Sequence, residues 1–149
     1  MGRVLGIDFG TRRVGAAISD SERTLASPLE VYERKDRLQD ARHYQALVKE
    51  HEVDRIVVGL PVHLGGGEGG TASLARKYGE WLAELTGLPV FFHDERFTTS
   101  DAEESLIAAG LKRSQRKGLR DMLAARILLQ NYLDDGCPDS NPRLTGIDD

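Results

Sequence analysis

The chain has 149 residues, of which 40% are apolar and 30% charged, a composition typical of one globular domain. No apolar run approaches the ~20 residues of a transmembrane helix, and the first residues do not resemble a signal peptide. The single cysteine, Cys137, excludes an intramolecular disulfide bond and a cysteine-based zinc site. The four histidines lack metal-ligand spacing. These features favour a reducing, cytoplasmic location.

The formal net charge of −4, from 20 basic and 24 acidic residues, argues by itself against a nucleic-acid partner. The charge is unevenly distributed along the chain, however. Residues 134–149 contain five aspartates and one arginine, whereas residues 1–133 hold 19 bases and 19 acids. We therefore predict one domain over residues 1–133 and an acidic, disordered tail over residues 134–149.

The first part of the chain predicts three strands, at residues 3–9, 14–19 and 24–32. Short polar turns separate them, so we expect hairpins and three antiparallel neighbours. Alternation along the first strand places Asp8 on the same face as Gly6.

The rest of the chain alternates helices with strands. Apolar residues three or four apart predict helices at about residues 36–51, from the glycine-rich stretch 65–70 to Gly87, at 99–110 and at 115–133. Two apolar runs, residues 55–60 and 90–93, predict buried parallel strands. Because crossovers are right-handed, the fourth strand should lie beside the first. The order predicts an α/β, ribonuclease H-like fold, a five-stranded mixed sheet with three antiparallel and then two parallel strands, flanked by helices.

Three acids could meet at one edge of this sheet. Asp8 lies near the end of the first strand, Glu95 follows the fifth, and Asp121 opens the last long helix. Sites in parallel sheets form at the carboxyl ends of the strands, so we expect these three side chains to converge. Carboxylates are the ligands that Mg²⁺ prefers, and two such ions can align a water for attack on a phosphodiester.

Each acid alone also has a structural interpretation. Asp8 could cap a turn, Glu95 could pair with Arg96, and the helix dipole favours Asp121 at a helix start. The helix after Asp121 is apolar nearly all round, however, and a buried carboxylate without a partner would be costly. His93, next to this group, could be structural or could relay a proton.

Basic residues flank all three acids. Residues 112–126 alone contain six bases and one acid. The side chains that we predict to contact phosphates are Arg12, Arg13, Arg96, Lys112, Arg113, Arg116 and Lys117. Such contacts give salt-dependent, sequence-independent affinity, although a solvated helix face is the alternative. We find no aromatic platform for reading bases, and the glycine-rich stretch lacks the ending of a P-loop.

Four segments resemble, in order, the motifs of the YqgF/RuvX family. They are GIDFGTRRVG at 6–15, VGLP at 58–61, HDERFTT at 93–99 and KGLRDMLAA at 117–125. The resemblance covers about residues 2–134. It implies a nuclease of the ribonuclease H superfamily that matures the 5′ end of pre-16S ribosomal RNA and is related to Holliday-junction resolvases. It also implies that Asp8, Glu95 and Asp121 are catalytic and bind Mg²⁺ or Mn²⁺, as two ions.

The chain departs from the family's pattern and its relatives' in two places. The fourth strand ends in Gly59-Leu60-Pro61, without the acid that true resolvases have there, so their metal geometry need not transfer. The stretch 65–70 is also richer in glycine than the corresponding family loop.

Four functions are therefore open. The first is a divalent-metal-dependent phosphodiesterase acting on structured RNA, with pre-ribosomal RNA or a ribosomal precursor particle as partner, as monomer or homodimer. The second is a Holliday-junction resolvase, which would require a dimer. The third is an actin-like ATPase or sugar kinase, whose phosphate motif residues 6–11 also resemble, but those need a second domain. The fourth is a non-catalytic nucleic-acid-binding module.

Overall fold

The computed structural model of the chain describes residues 2–60, 70–94, 110 and 112–138, without the side chains of residues 113–118. Its elements are β1 (Arg3–Asp8), β2 (Arg13–Ser19), β3 (Ala26–Glu33), α1 (Arg37–Glu50), β4 (Val53–Leu60), α2 (Gly70–Thr86), β5 (Val90–Asp94) and α3 (Arg113–Asp134). Within these residues, no helix is long and apolar enough to cross a membrane.

The five strands form one mixed sheet in the order β3-β2-β1-β4-β5. The pairs β1–β2 and β2–β3 are antiparallel, whereas β1–β4 and β4–β5 are parallel. The predicted fold class and the predicted place of β4 beside β1 are both confirmed.

Strand β3 begins at residue 26 and not at the predicted residue 24, because Asp20 extends the turn before it. The Asp20 carboxylate accepts hydrogen bonds from the backbone N–H groups of Thr24 at 2.7 Å and Leu25 at 3.2 Å. It also accepts one from the Thr24 hydroxyl at 2.6 Å, and this bond contributes most to lowering the pKa of Asp20. The backbone donors of residues 24 and 25 are thus used by a side chain before the sheet ladder begins.

The helices start close to their predicted positions. The side chain of Asp36 caps α1 by accepting a hydrogen bond from the backbone N–H of Gln39 at 2.8 Å. Helix α2 begins at Gly70, the last residue of the glycine-rich stretch, and residues 65–69 lie outside the described residues. The predicted helix at 99–110 also lies outside them, apart from Gly110.

Helix α3 corrects two expectations about Asp121. The helix begins at residue 113, so Asp121 is its ninth residue and does not open it. The favourable helix-dipole position that we expected for this carboxylate is therefore absent. The helix is also not buried all round, since Leu123 and Ile127 are half-buried and Asn131 is exposed. Its buried stripe consists of Ala124, Ala125, Leu128, Leu129, Tyr132 and Leu133.

Alternation along β1 divides the core between the two faces of the sheet. Leu5 and Ile7 pack on the face that α1 and α2 cover, where the hydroxyl of Tyr78 donates a 2.9 Å hydrogen bond to that of Tyr44. Val4 packs on the opposite face, with Leu129 of α3. The side chain of the last β1 residue alternates with its neighbours in the same way, so it belongs to the α3 face.

Glycines in β1 and β2 allow α3 to approach the sheet closely. A Cβ atom added to Gly6 would lie 2.8 Å from the Cβ of Leu129. One added to Gly15 would lie 2.1 Å from the backbone oxygen of Asp121. At both positions the helix backbone or its first side-chain atom occupies the space of a methyl group. The small residues of these strands therefore fix the height of α3 above the sheet.

Candidate active site

The end of β1 and the middle of α3 meet across β2. Asp8 is the last residue of β1 and pairs with Gly15 of β2. Gly15 in turn touches the backbone of Asp121, because it has no side chain to hold the helix away. The strand pairing and the glycine contact bring two of the three predicted acids to one place.

Asp8 and Asp121 line a common cavity of about 200 Å³. The remaining lining is residues 9–13, the β1–β2 turn together with the first residue of β2, and it includes Arg12 and Arg13, which we predicted to contact phosphates. Of these, Arg12 is exposed and Arg13 is half-buried. The cavity is therefore lined by two acidic and two basic residues.

The carboxylate of Asp121 is not a buried charge without a partner. Its Oδ2 lies 3.4 Å from Nε of Arg13, its Oδ1 lies 3.9 Å from Nε of Arg120, and its side chain is 23% exposed. Contacts of this length between partly exposed groups contribute at most about 1 kcal/mol to stability. The argument that Asp121 must be functional because it is buried alone is therefore wrong, and the case for its function depends on its place in the cavity.

The third predicted acid lies just beyond the described part of β5. Gly59 of β4 pairs with His93 of β5, and Val58 pairs with Ile7 of β1, so the carboxyl ends of the three parallel strands are level. Asp94 is the last residue of β5, and Glu95 follows it in the sequence. Because Glu95 lies outside the described residues, its place in the site stays a prediction. Among the described residues, no three His, Cys, Asp or Glu side chains lie together as metal ligands would.

His93 is held by the C-terminal end of α3 and the residues after it. It is buried, its Nε2 lies 3.1 Å from Oδ2 of Asp135, and its ring packs against that of Tyr132 with centroids 5.6 Å apart. Its buried Nδ1 has no hydrogen-bond partner within the described residues. Asp135 had been counted only as part of the acidic tail, and nothing in the sequence pattern linked it to His93.

The residues just after α3 contact the domain, although we placed them in the tail. Nη1 of Arg55 donates a 2.9 Å hydrogen bond to the backbone oxygen of Cys137, and the hydroxyl of Tyr132 donates one to that of Pro138. Burial raises the pKa of the Cys137 thiol. Residues 139–149 lie outside the described residues.

The other predicted phosphate-binding residues are located only in part. Lys112 is exposed and directly precedes α3. Arg113, Arg116 and Lys117 lie in the first turns of α3, and their side chains are not described. Arg96 lies outside the described residues. The first turn of α3 is about 12 Å along the helix from Asp121, at 1.5 Å per residue.

The sheet order β3-β2-β1-β4-β5, with helices on both faces, places the chain in the ribonuclease H-like class of folds. RuvC of Thermus thermophilus, solved in complex with a Holliday junction substrate, superposes with a TM-score of 0.56 and 18% identity, covering 92% of this chain and 96% of that one. The fowlpox virus resolvase, solved with Holliday junction DNA, gives 0.57 and 11%, covering 91% and 99%. These likenesses concern the fold.

The chain belongs to the RuvX family, described as "Holliday junction resolvase", whose profile matches residues 2–135. A relative from Caldanaerobacter subterraneus is 42% identical over 133 residues, covering 89% of this chain and 96% of that protein. One from Streptococcus sanguinis is 43% identical over 136 residues, covering 89% and 97%. Both relatives carry the name "Putative pre-16S rRNA nuclease". Nucleases are hydrolases that act on ester bonds, and the expected family membership is confirmed.

Proposed function

We propose that this chain is a divalent-metal-dependent nuclease that acts in the cytoplasm on the 5′ end of pre-16S ribosomal RNA. The observation that carries the proposal is the cavity that Asp8 and Asp121 share with Arg12 and Arg13. It combines oxygen ligands for a cation with guanidinium groups for a phosphate, and a phosphodiesterase site needs both. The names of the curated relatives support the RNA substrate.

The donor set of this cavity fits a hard divalent cation. Two carboxylates line a space of about 200 Å³, which has room for an ion together with several waters of roughly 30 Å³ each. In our proposal Asp8 and Asp121 hold Mg²⁺ or Mn²⁺, as two ions, and Glu95 completes the set. When bound, such ions lower the pKa of water and offset negative charge on the reacting phosphate.

The arginines of the β1–β2 turn position the substrate. Arg12 is exposed on the wall of the cavity, where it binds the phosphate next to the scissile bond. Arg13 pairs with the carboxylate of Asp121 in the metal-free chain and adds positive charge where the phosphate approaches. The basic residues that begin α3 bind the strand farther away, at Lys112, Arg113, Arg116 and Lys117. Hydrolysis adds water across one P–O bond, which leaves a phosphate on one product and a hydroxyl on the other.

The test is cleavage of a transcript that carries the 5′ extension of pre-16S RNA, with Mg²⁺, by Asp8→Asn and by Asp121→Asn. We expect each substitution to lower the rate by ~100-fold or more, since even residues that only support a metal ligand cost 10–100-fold. The matched control is Asp54→Asn. Asp54 also pairs with an arginine, Arg23, but it is the second residue of β4 and so lies at the amino-terminal end of the parallel strands, away from the cavity. It should keep the wild-type rate per folded molecule.

Three results would contradict the proposal in different ways. If Asp8→Asn cleaved the RNA at the wild-type rate, the cavity would not be the active site. Faster cleavage of a four-way DNA junction than of the RNA would favour a resolvase, the activity in the family's description. A melting temperature that Mn²⁺ leaves unchanged, with neither substrate cut, would leave a non-catalytic binding module.

A further inference from the structure

A second, larger cavity lies on the other side of the β1–β2 turn, on the face of the sheet that carries α1 and α2. Its volume is about 480 Å³, within the range of small-molecule sites. Three rings and four cations from three stretches of the chain are among the residues that line it; besides Arg34 they are Phe9, Tyr78, Trp81, Lys35, Arg37 and Lys77. We refer to these residues, together with Arg34, as the aromatic-basic groove.

The groove carries a net positive charge. Lys35, Arg37 and Lys77 are exposed. The one acid that lines the groove, Asp40, is buried. The carboxylate of Asp40 is engaged internally, since its Oδ1 accepts hydrogen bonds from the Tyr32 hydroxyl at 2.7 Å and the Lys35 backbone N–H at 3.0 Å. The exposed surface of the groove thus presents cations, which suits an anionic ligand.

Arg34 forms a fixed flat surface among the rings. Its Cζ lies 5.3 Å from the ring centre of Phe9 and 5.2 Å from that of Tyr78. Its Nη1 donates hydrogen bonds to the backbone oxygens of Gly10 at 3.3 Å and Thr11 at 3.0 Å. Guanidinium planes and aromatic rings are the surfaces on which unpaired bases stack.

The groove is connected to the candidate active site through the turn. Thr11 lines the groove and the cavity of Asp8 and Asp121, and it also lines a third cavity of about 330 Å³ between them. That third cavity is lined by Arg12, Arg34 and Lys35 together with one exposed acid, Glu33. Three cations against one acid therefore lie between the active-site acids and the rings.

We propose that the aromatic-basic groove binds an unpaired nucleotide of the substrate strand, adjacent to the phosphate that is cleaved. The half-buried Trp81 and Arg34 receive the base, whereas Tyr78 is buried beneath Arg34 and supports it from below. Lys35, Arg37 and Lys77 receive the phosphates. The assignment rests on the proposed nuclease function and adds to it a preference for a single-stranded segment. A paired base has its faces covered by its neighbours in the duplex, so it cannot use these rings.

Trp81 provides a site-specific signal, because it is the only tryptophan of the chain. The full-length protein is titrated, with EDTA to prevent cleavage, with short single-stranded RNA, single-stranded DNA and blunt duplex. Trp81 emission and oligonucleotide anisotropy are followed together. We expect the emission to be quenched in step with binding of the single strands and much less with the duplex.

Charge reversal provides the matched comparison. Lys77→Glu should weaken single-strand binding by about tenfold, since it removes a phosphate contact and adds a repulsion. Lys49→Glu makes the same change at an exposed site on α1 that does not line the groove, and should leave the affinity within about twofold.

If the single strand bound without quenching Trp81 emission, or bound Lys77→Glu as tightly as the wild type, the strand would lie elsewhere. Either result would overturn the proposal that the groove binds it. Neither result would affect the nuclease assignment, which Asp8→Asn tests separately. Conversely, quenching by single strands would support the groove even if Asp8→Asn retained cleavage. A mononucleotide that quenches with the affinity of the oligonucleotide would make the groove a site for free nucleotides and overturn its role in strand binding.

Discussion

Substitution of Gly15 by alanine tests how α3 is held over the candidate active site. The added Cβ would lie 2.1 Å from the backbone oxygen and 2.6 Å from the backbone carbon of Asp121. Non-bonded heavy atoms ordinarily approach to about 3.3–3.5 Å, so the helix would have to move by roughly 1 Å. A backbone oxygen in a packed helix has no rotamer by which it could avoid the contact.

The expected cost is at the upper end for overpacking, about 3 kcal/mol. For a chain of this length that corresponds to a fall in melting temperature of about 6–12 °C. Gly6→Ala should cost less, about 1–2 kcal/mol, because its Cβ would meet the Leu129 side chain at 2.8 Å. Gly70→Ala is the control: nothing lies within 4 Å of its Cβ, so its melting temperature should stay close to that of the wild type.

Thermal unfolding followed by circular dichroism checks this order of stabilities. At a temperature where Gly15→Ala remains folded, its cleavage rate should fall by about 100-fold, because a 1 Å displacement of a catalytic group has an effect of that size. If Gly15→Ala melted within about 2 °C of Gly70→Ala, α3 would not contact β2 at Asp121 and the reasoning about the cavity would be wrong.

Three further predictions concern the tail, the ion pair and the acid limb of stability. Truncation after Pro138 should leave the melting temperature unchanged. Truncation after Leu133 removes the hydrogen bonds to residues 137 and 138, so it should lower the free energy of unfolding, measured by calorimetry, by about 2–3 kcal/mol. Equal stability of the two truncated chains would show that these bonds contribute nothing. Arg13→Gln should change the free energy of unfolding by less than about 1 kcal/mol. It should tighten Mn²⁺ binding in isothermal titration calorimetry, because the guanidinium group competes with the ion for the Asp121 carboxylate. Weaker Mn²⁺ binding would refute that competition. The pKa of Asp20 lies below its ordinary 3.8 in the folded chain, so its stabilising effect is present above pH 3.8 and is lost as the pH falls further. Asp20→Asn should therefore flatten the acid limb of the stability profile in chemical denaturation, and an unchanged limb would contradict the role of the turn.

The sheet could be predicted from the sequence because its signals are local. Alternation in β1, the short polar turns and the continuous apolar run of β4 each belong to one segment, and the handedness of crossovers then orders the strands. The same signals predicted that Asp8 lies near the end of a strand, on the same face as Gly6. What they could not give is the height of α3 above the sheet, because that depends on which atoms of the helix meet Gly6 and Gly15.

The features that sequence reasoning missed bring together residues from distant parts of the chain. His93 contacts Asp135, and the groove combines Phe9, Arg34 and Trp81. In the sequence, Trp81 is recognisable only as part of the apolar stripe of α2, and the rings that line the groove come from separate stretches of the chain. The available signal was the three cations among residues 34–37 at the start of α1, which by themselves are equally typical of a solvated helix start.

The net charge of −4 is therefore a poor guide to what this chain binds. At physiological salt, charges separated by more than about 8 Å interact weakly, so a phosphate senses the residues around it and not the sum over the chain. Around the β1–β2 turn the basic residues are Arg12, Arg13, Arg34 and Lys35. Arg37 and Lys77 of the aromatic-basic groove lie beyond them. Of the acids that line these cavities, Asp40 is buried and Asp121 is paired with arginine, whereas Glu33 is exposed and is outnumbered by the cations around it. A polyanion can thus meet a positive surface on a negatively charged chain.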